Sequence, residues 1–88
     1  MVAKTIHGKY SYDPLALNDP ELNAIIGQRI AVLRKTKGLS QTSLGEQVGM
    51  PSSKLSKVET GDNQIPVSAL VRIAHVLDAD LNWICGLK

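Results

Sequence analysis

The sequence of 88 residues contains no phenylalanine, one tryptophan and two tyrosines, so few aromatic rings are available to fill a core. Its single cysteine, Cys85, excludes a disulfide within the chain. No apolar run is long enough to span a membrane, and residues 1–12 lack the apolar stretch of a signal peptide. We therefore expect one cytoplasmic domain whose aliphatic core is built from helices.

Charge indicates little about function, because the whole chain carries a net charge of only +2. The positive charge is unevenly placed, and residues 29–62 carry the entire surplus. Taken alone, this balance favours a solvated surface of mixed charge, since proteins that bind phosphates usually draw on a larger basic surplus.

Helix signals divide the chain into an arm and a domain. Residues 1–18 show no helical period and are rich in turn formers, which predicts an N-terminal arm. Asp19 and Pro20 are typical of an N-cap and a first helical residue, and Gly38 is typical of the position just after a helix. Residues 19–88 are therefore predicted to form the folded domain, starting with a long first helix.

Residues 41–60 carry the pattern of a helix-turn-helix, a motif that reads DNA. Leu44 and Val48 are four residues apart and share one face of a first short helix, and a similar apolar spacing recurs in a second. Between the two helices, Gly49 tolerates the positive φ that a sharp reversal of the chain requires. We name the second helix, at about residues 52–60, the reader helix.

Two further helices complete the prediction. Pro66 is expected at the first position of the fourth helix, and Asp80 at the N-cap of a short fifth helix. No alternating runs of β-branched residues are present, so the predicted fold class is all-α: a compact five-helix domain with the helix-turn-helix as helices 2 and 3. The apolar stripe predicted for the fourth helix consists of Val67, Leu70, Ile73, Ala74 and Leu77.

A larger set of residues in and around the helix-turn-helix forms a specific pattern. Its members are Leu39-Ser40-Gln41, Leu44-Gly45, Val48-Gly49-Met50, Leu55 to Gly61, and Ile73-Ala74 with Leu77. This pattern resembles the phage repressor and Cro-type helix-turn-helix family, also called the XRE family, over about residues 22–86. Two positions depart from it: Gly45 stands where the family usually has alanine, which is similarly small, and Pro51 where it commonly has a serine or threonine N-cap.

Four side chains of the reader helix are candidates for contacts with DNA bases. With Leu55 and Val58 turned inward, about 100° per residue places them on or beside the opposite face, where the resembled family also has its base contacts. Lys57 is the strongest candidate, because lysine can donate hydrogen bonds to the O6 and N7 atoms of guanine. Serine discriminates only weakly between bases. The alternative for the serines is that they cap the helix or face solvent. The predicted base contacts are Ser52, Ser53, Ser56 and Lys57.

Contacts with DNA phosphates are predicted around the reader helix. Gln41 begins helix 2, whose unpaired N–H groups and positive dipole end attract anions, and the resemblance implies a phosphate contact there. The alternative is an exposed glutamine without a partner. The predicted phosphate contacts are Gln41, Lys54, Asn63 and Gln64.

Arg34 and Glu59 are expected to have a structural role. The resemblance implies that an arginine and a glutamate at these positions form an ion pair that connects helix 1 to the reader helix. A glutamate would also be a poor neighbour for a phosphate.

A single reader helix contacts only a few base pairs, so useful affinity requires a second one. The resemblance implies a symmetric homodimer on palindromic half-sites about 34 Å apart, with the dimer surface around the last helix. Trp83 and Leu87 are the candidates there, although Trp83 could instead cover the core of its own chain. The arm, with Tyr10 and Tyr12, could also dock on the partner or on DNA.

Catalysis is not indicated. His7 and His75 are the only histidines and Cys85 the only thiol, and no metal-ligand spacing, phosphate-binding loop or nucleophile elbow is present. We expect no enzyme and no cofactor, but a regulator that binds double-stranded DNA, with repression as the expected mode. The alternative is an antitoxin or adaptor of the same fold that binds a partner protein and autoregulates its operon.

Overall fold

A computed structural model describes residues 13–87, and within this range every regular element is helical. A short 3-10 helix at Pro14–Ala16 forms where the sequence predicted an arm without helical structure; the rest of the arm, with His7, Tyr10 and Tyr12, lies outside the described residues. The all-α prediction is confirmed. The five α-helices are α1 (Asp19–Thr36), α2 (Gln41–Val48), α3 (Ser52–Thr60), α4 (Val67–Val76) and α5 (Leu81–Ile84).

The start of α1 lies one residue earlier than predicted. Asn18, and not Asp19, is the N-cap: the Asn18 side chain accepts a hydrogen bond from the Glu21 N–H at 2.8 Å. The Glu21 carboxylate in turn accepts from the Asn18 N–H at 3.0 Å, which completes a capping box. Pro20 is therefore the second helical residue. The predicted glycine after the helix is correct, because Gly38 follows the C-cap with φ +74°.

The first residue of α4 also differs from the prediction. Pro66 is the N-cap, and Val67 begins the helix with 74% of its surface exposed, so its place in the predicted apolar stripe is wrong. Helical side chains lean toward the N-terminus, and the side chain of a first residue therefore projects past the packed turns. The other members of the stripe, Leu70, Ile73, Ala74 and Leu77, are buried as predicted.

All five α-helices contribute side chains to one aliphatic core. Burying a side chain of this kind stabilises a fold by about 1.5–3 kcal/mol. Helices as short as α2 and α5 do not persist alone in water, so contact with this core is what keeps them folded. No helix within residues 13–87 has the length and apolar character needed to cross a membrane. The side chains with at most 1% exposure are Ile30, Leu44, Leu55, Val58, Ile73, Leu77 and Ile84.

Candidate nucleic-acid interface

The turn between α2 and α3 sets the direction of the reader helix, α3. Ser40 caps the start of α2, with its Oγ accepting from the Ser43 N–H at 3.0 Å. Gly49 ends α2 in the left-handed conformation at φ +75°, as the sequence predicted. Met50 then turns back onto the core, only 7% exposed, and its N–H donates to the Gly45 carbonyl at 2.8 Å. These contacts fix where α3 begins.

The turn also requires glycine at position 45. A Cβ on Gly45 would lie well inside the van der Waals distance of the Met50 carbonyl oxygen. Alanine is therefore not equivalent to glycine here, contrary to the expectation from their similar size. An added methyl group would force the start of α3 away from α2.

Arg34 and Glu59 connect α1 to the last turn of α3 by two parallel hydrogen bonds. Arg34 Nε lies 2.6 Å from Glu59 Oε2, and Arg34 Nη2 lies 3.0 Å from Glu59 Oε1. Their side chains are only 10% and 6% exposed, and Arg34 also donates to the Leu39 carbonyl at 2.7 Å. Hydrogen bonding to Glu59 raises the pKa of Arg34 above its ordinary value, although burial acts in the opposite direction. The predicted ion pair is therefore present, and its arginine stays charged.

Gln41 joins the same network. Its Nε2 donates to Glu59 Oε1 at 3.0 Å, which connects the first residue of α2 to the end of α3. The alternative of a glutamine without a partner is therefore wrong. An amide nitrogen carries two hydrogens, so this bond still leaves one donor for a phosphate oxygen.

The face of α3 opposite the core is lined by the side chains predicted to contact bases. Ser52, Ser53 and Lys57 are exposed, and Ser56 is half-buried. The N-cap of α3 is Pro51, and no side chain caps this helix. Ser52 and Ser53 therefore do not cap the helix. The remaining alternative to a base contact, for these two serines, is exposure to solvent without a partner.

The side chains predicted to contact phosphates flank this face. Lys54 and Gln64 are exposed, while Gln41 and Asn63 are half-buried. The loop after α3 folds back on its last turn, because the Asn63 N–H donates to the Lys57 carbonyl at 3.2 Å. The structure thus holds the loop of Asn63 and Gln64 next to the reader helix.

The two candidates for a dimer surface have different environments. Trp83 is half-buried against the core, and the guanidinium of Arg29 on α1 lies 4.7 Å from the centroid of its ring. Arg29 Nη1 also donates to the Trp83 carbonyl. Leu87, in contrast, is 56% exposed. Trp83 therefore covers the core of its own chain, and Leu87 presents more free apolar surface.

Sequence reasoning missed Gly27, which sits where α1 crosses α3. A Cβ at this position would lie 2.8 Å from the carbonyl oxygen of Glu59 and closer still to that of Val58. The sequence does contain a sign of this close contact, because Gly27 lies inside a helical pattern. A glycine there weakens the helix and is usually present because a neighbouring segment packs closely against it.

Groups suited to metal binding do not converge in the described part of the chain. No three residues among His, Cys, Asp and Glu within 13–87 lie together in a way that could hold a metal ion. His75 is exposed on α4. Burial raises the pKa of the Cys85 thiol, which reduces the fraction of reactive thiolate at neutral pH.

The fold and this exposed face define a helix-turn-helix domain of the repressor type, in which α3 is presented to the outside by α1 and α2. The chain belongs to the helix-turn-helix domain family, which matches residues 25–82. The resemblance to the phage repressor and Cro-type family is thereby confirmed.

Relatives with similar sequences carry names from transcriptional regulation. The uncharacterized HTH-type transcriptional regulator RP497 of Rickettsia prowazekii is 38% identical over 63 residues, which cover 72% of this chain and 48% of that protein. The chain thus spans about half the length of the curated relatives it matches.

Solved structures show the same arrangement of helices. The restriction-modification controller protein C.AhdI from Aeromonas hydrophila is 31% identical with a TM-score of 0.66, over 70% of this chain and 94% of that one. The DNA-binding domain of SinR from Bacillus subtilis is 34% identical with a TM-score of 0.65, over 69% and 90%. SinR has also been solved in complex with DNA and in complex with the SinI protein.

Proposed function

We propose that this protein is a transcriptional regulator, acting as a repressor, that binds double-stranded DNA sequence-specifically by placing α3 in the major groove. The observation that carries this proposal is the exposed face of Ser52, Ser53 and Lys57 on a helix whose opposite face is buried. α3 is also held at both ends, by the Gly49 turn and by the Glu59 network. A rigid helix with short side chains can approach base edges closely.

Phosphate contacts would position α3 in the groove. At the N-terminus of α2, the side-chain amide of Gln41 has a second hydrogen that could be donated to a phosphate. Lys54 lies beside the base-reading face. Asn63 and Gln64 would contact the strand on the other side of the helix. Contacts of this kind carry no sequence information, but they supply much of the affinity and make it dependent on salt.

A homodimer on a palindromic operator completes the proposal. Two copies would place two α3 helices in successive major grooves, about 34 Å apart. The exposed Leu87, three residues after the end of α5, is the surface we assign to this contact. A protein partner is the second candidate for binding, and the structure of SinR with SinI supports it for this fold.

Replacing Lys57 by alanine tests the base-reading role. We expect the affinity for DNA from upstream of its own gene to fall about tenfold, because a donor to guanine is lost. The affinity for a scrambled duplex should fall much less. Both affinities can be measured by fluorescence anisotropy of labelled duplexes at about 50 and 200 mM salt, and dimer formation by analytical ultracentrifugation.

Lys54→Ala is the matched control, because it removes the same charge from the same helix. A phosphate contact predicts an equal loss on both duplexes and a shallower dependence on salt. Equal, weak binding of the unmodified protein to both duplexes would contradict sequence-specific binding and favour a role in binding a protein partner.

A further inference from the structure

We propose that Asp62 limits the affinity of the α3 surface for DNA, through a fixed negative charge beside the phosphate-contacting loop. This inference depends on the proposed function, since it concerns the same surface. Segment 51–66, which contains α3 and the loop after it, carries four charged side chains. They are Lys54, Lys57, Glu59 and Asp62.

The two acids in this segment are in different electrostatic states. Glu59 is 6% exposed and paired with Arg34, so its charge is compensated inside the protein. Asp62 is exposed, and its carboxylate accepts a hydrogen bond from a neutral hydroxyl, that of Thr60. Its carboxylate therefore directly offsets one of the two lysines on the surface that would face DNA.

The position of this carboxylate is fixed by the backbone around it. The Asp62 N–H donates to the Lys57 carbonyl at 2.9 Å, and the Thr60 hydroxyl donates to Asp62 Oδ2 at 3.0 Å. Gly61, with φ +87°, packs so closely on α1 that a Cβ would lie 2.8 Å from the Ala24 Cα. The loop is held on both sides, so the carboxylate cannot easily swing away from an approaching phosphate.

Asp62 also lies close enough to DNA to act. It precedes Asn63, and consecutive Cα atoms are about 3.8 Å apart. The carboxylate and a phosphate contacted by Asn63 would therefore be held by adjacent residues, at a separation comparable to the Debye length, which is about 8 Å at physiological salt. Like charges at this separation repel most strongly at low salt, where the Debye length is longer and screening is weaker. The repulsion acts on any DNA sequence, because every sequence carries the same phosphates.

Asp62→Asn is the variant that tests this inference, because the amide oxygen can still accept from the Thr60 hydroxyl while the charge is removed. We expect a gain in affinity of about threefold to tenfold at 50 mM salt, shrinking toward no gain at 200 mM. The gain should be equal for a 30-base-pair duplex of random sequence and for the upstream duplex. Anisotropy titrations of both duplexes measure it.

Asp78→Asn is the matched control, with the same change of charge in the loop between α4 and α5. This loop follows the far end of α4, whose ten residues carry the chain about 15 Å from Pro66, the last residue of segment 51–66. Asp78 has φ +50°, a conformation that asparagine also tolerates. The control should leave both affinities unchanged.

Each outcome has a definite meaning. A gain with Asp62→Asn alone supports the inference, and Asp62→Ser, which also lacks the charge, should repeat it. No gain, or a loss, would mean that the carboxylate serves only to shape the loop; an equal gain with Asp78→Asn would mean that only total charge matters. Either result overturns the inference while the proposed function stands. Failure of the unmodified protein to bind either duplex overturns the proposed function itself.

Discussion

Replacing Glu59 by alanine should lower the free energy of unfolding by about 3–5 kcal/mol, a large fraction of the total for a domain of this size. The substitution leaves the Arg34 guanidinium 10% exposed with one remaining bond, to the Leu39 carbonyl. A buried charge that loses its partner carries a desolvation cost that nothing offsets. Urea unfolding followed by far-UV circular dichroism measures the change.

Two further variants separate charge from packing at this pair. Glu59→Gln keeps an acceptor for Arg34 and should therefore be less destabilising than alanine. The double replacement of Arg34 by methionine and Glu59 by leucine removes both charges, and should recover much of the lost stability. If Glu59→Ala costs less than about 1 kcal/mol, the pair behaves like an exposed ion pair and is not a structural connection.

Loss of Glu59 should also affect DNA binding, because the same carboxylate accepts from Gln41. Without it, the start of α2 is no longer connected to the end of α3. Glu59→Gln, which retains an acceptor, should preserve DNA affinity better than Glu59→Ala at temperatures where both variants are folded. The network thus links the stability of the fold to the geometry of the predicted contacts.

The bounds of the helix-turn-helix could be predicted from the sequence because its ends are set by local chemistry. Ser40 supplies a side-chain cap, and Gly49 and Gly61 adopt the left-handed conformations that end α2 and α3. Each of these signals acts within a few residues of the chain. The sequence alone therefore predicted α2 with the observed bounds and the end of α3, while the start of α3 was predicted to within one residue of Pro51.

The errors at the other helix ends have a different origin. Asn18 and Asp19 are both good N-cap residues, and the reciprocal bond with Glu21 favours the first. At Pro66, a proline suits the N-cap as well as the first helical position, because neither uses its missing N–H. Where neighbouring residues are equally suitable, composition does not decide between them.

The close helix crossings could not be predicted, because they depend on distances between segments far apart in the chain. Gly45 was expected to be equivalent to alanine because both are small, and the lack of space for even one methyl group is visible only in the three-dimensional structure. The hydrogen bond of Gln41 to Glu59 joins residues 18 positions apart. The candidate reader face, in contrast, follows from helix geometry once its buried side is known.

Replacing Gly27 by alanine should destabilise the fold by about 1–3 kcal/mol, although the same change inside most helices stabilises by about 0.5–1 kcal/mol. The new methyl group would collide with the carbonyl oxygens of Val58 and Glu59, which belong to the last turn of α3. These are backbone atoms, so no side-chain rotation relieves the overlap and α3 must shift as a unit. Urea unfolding measures the loss.

Gln28→Ala is the matched control, since Gln28 is the exposed neighbour on the same helix and its replacement should change stability by less than about 0.5 kcal/mol. A stable Gly27→Ala variant would show that α1 and α3 can separate without cost. If the variant is destabilised but folded, its affinity for the upstream duplex should fall as well, because α3 carries the predicted base contacts. A shift in this helix moves Lys57 relative to the α2 terminus, so base and phosphate contacts could no longer form together.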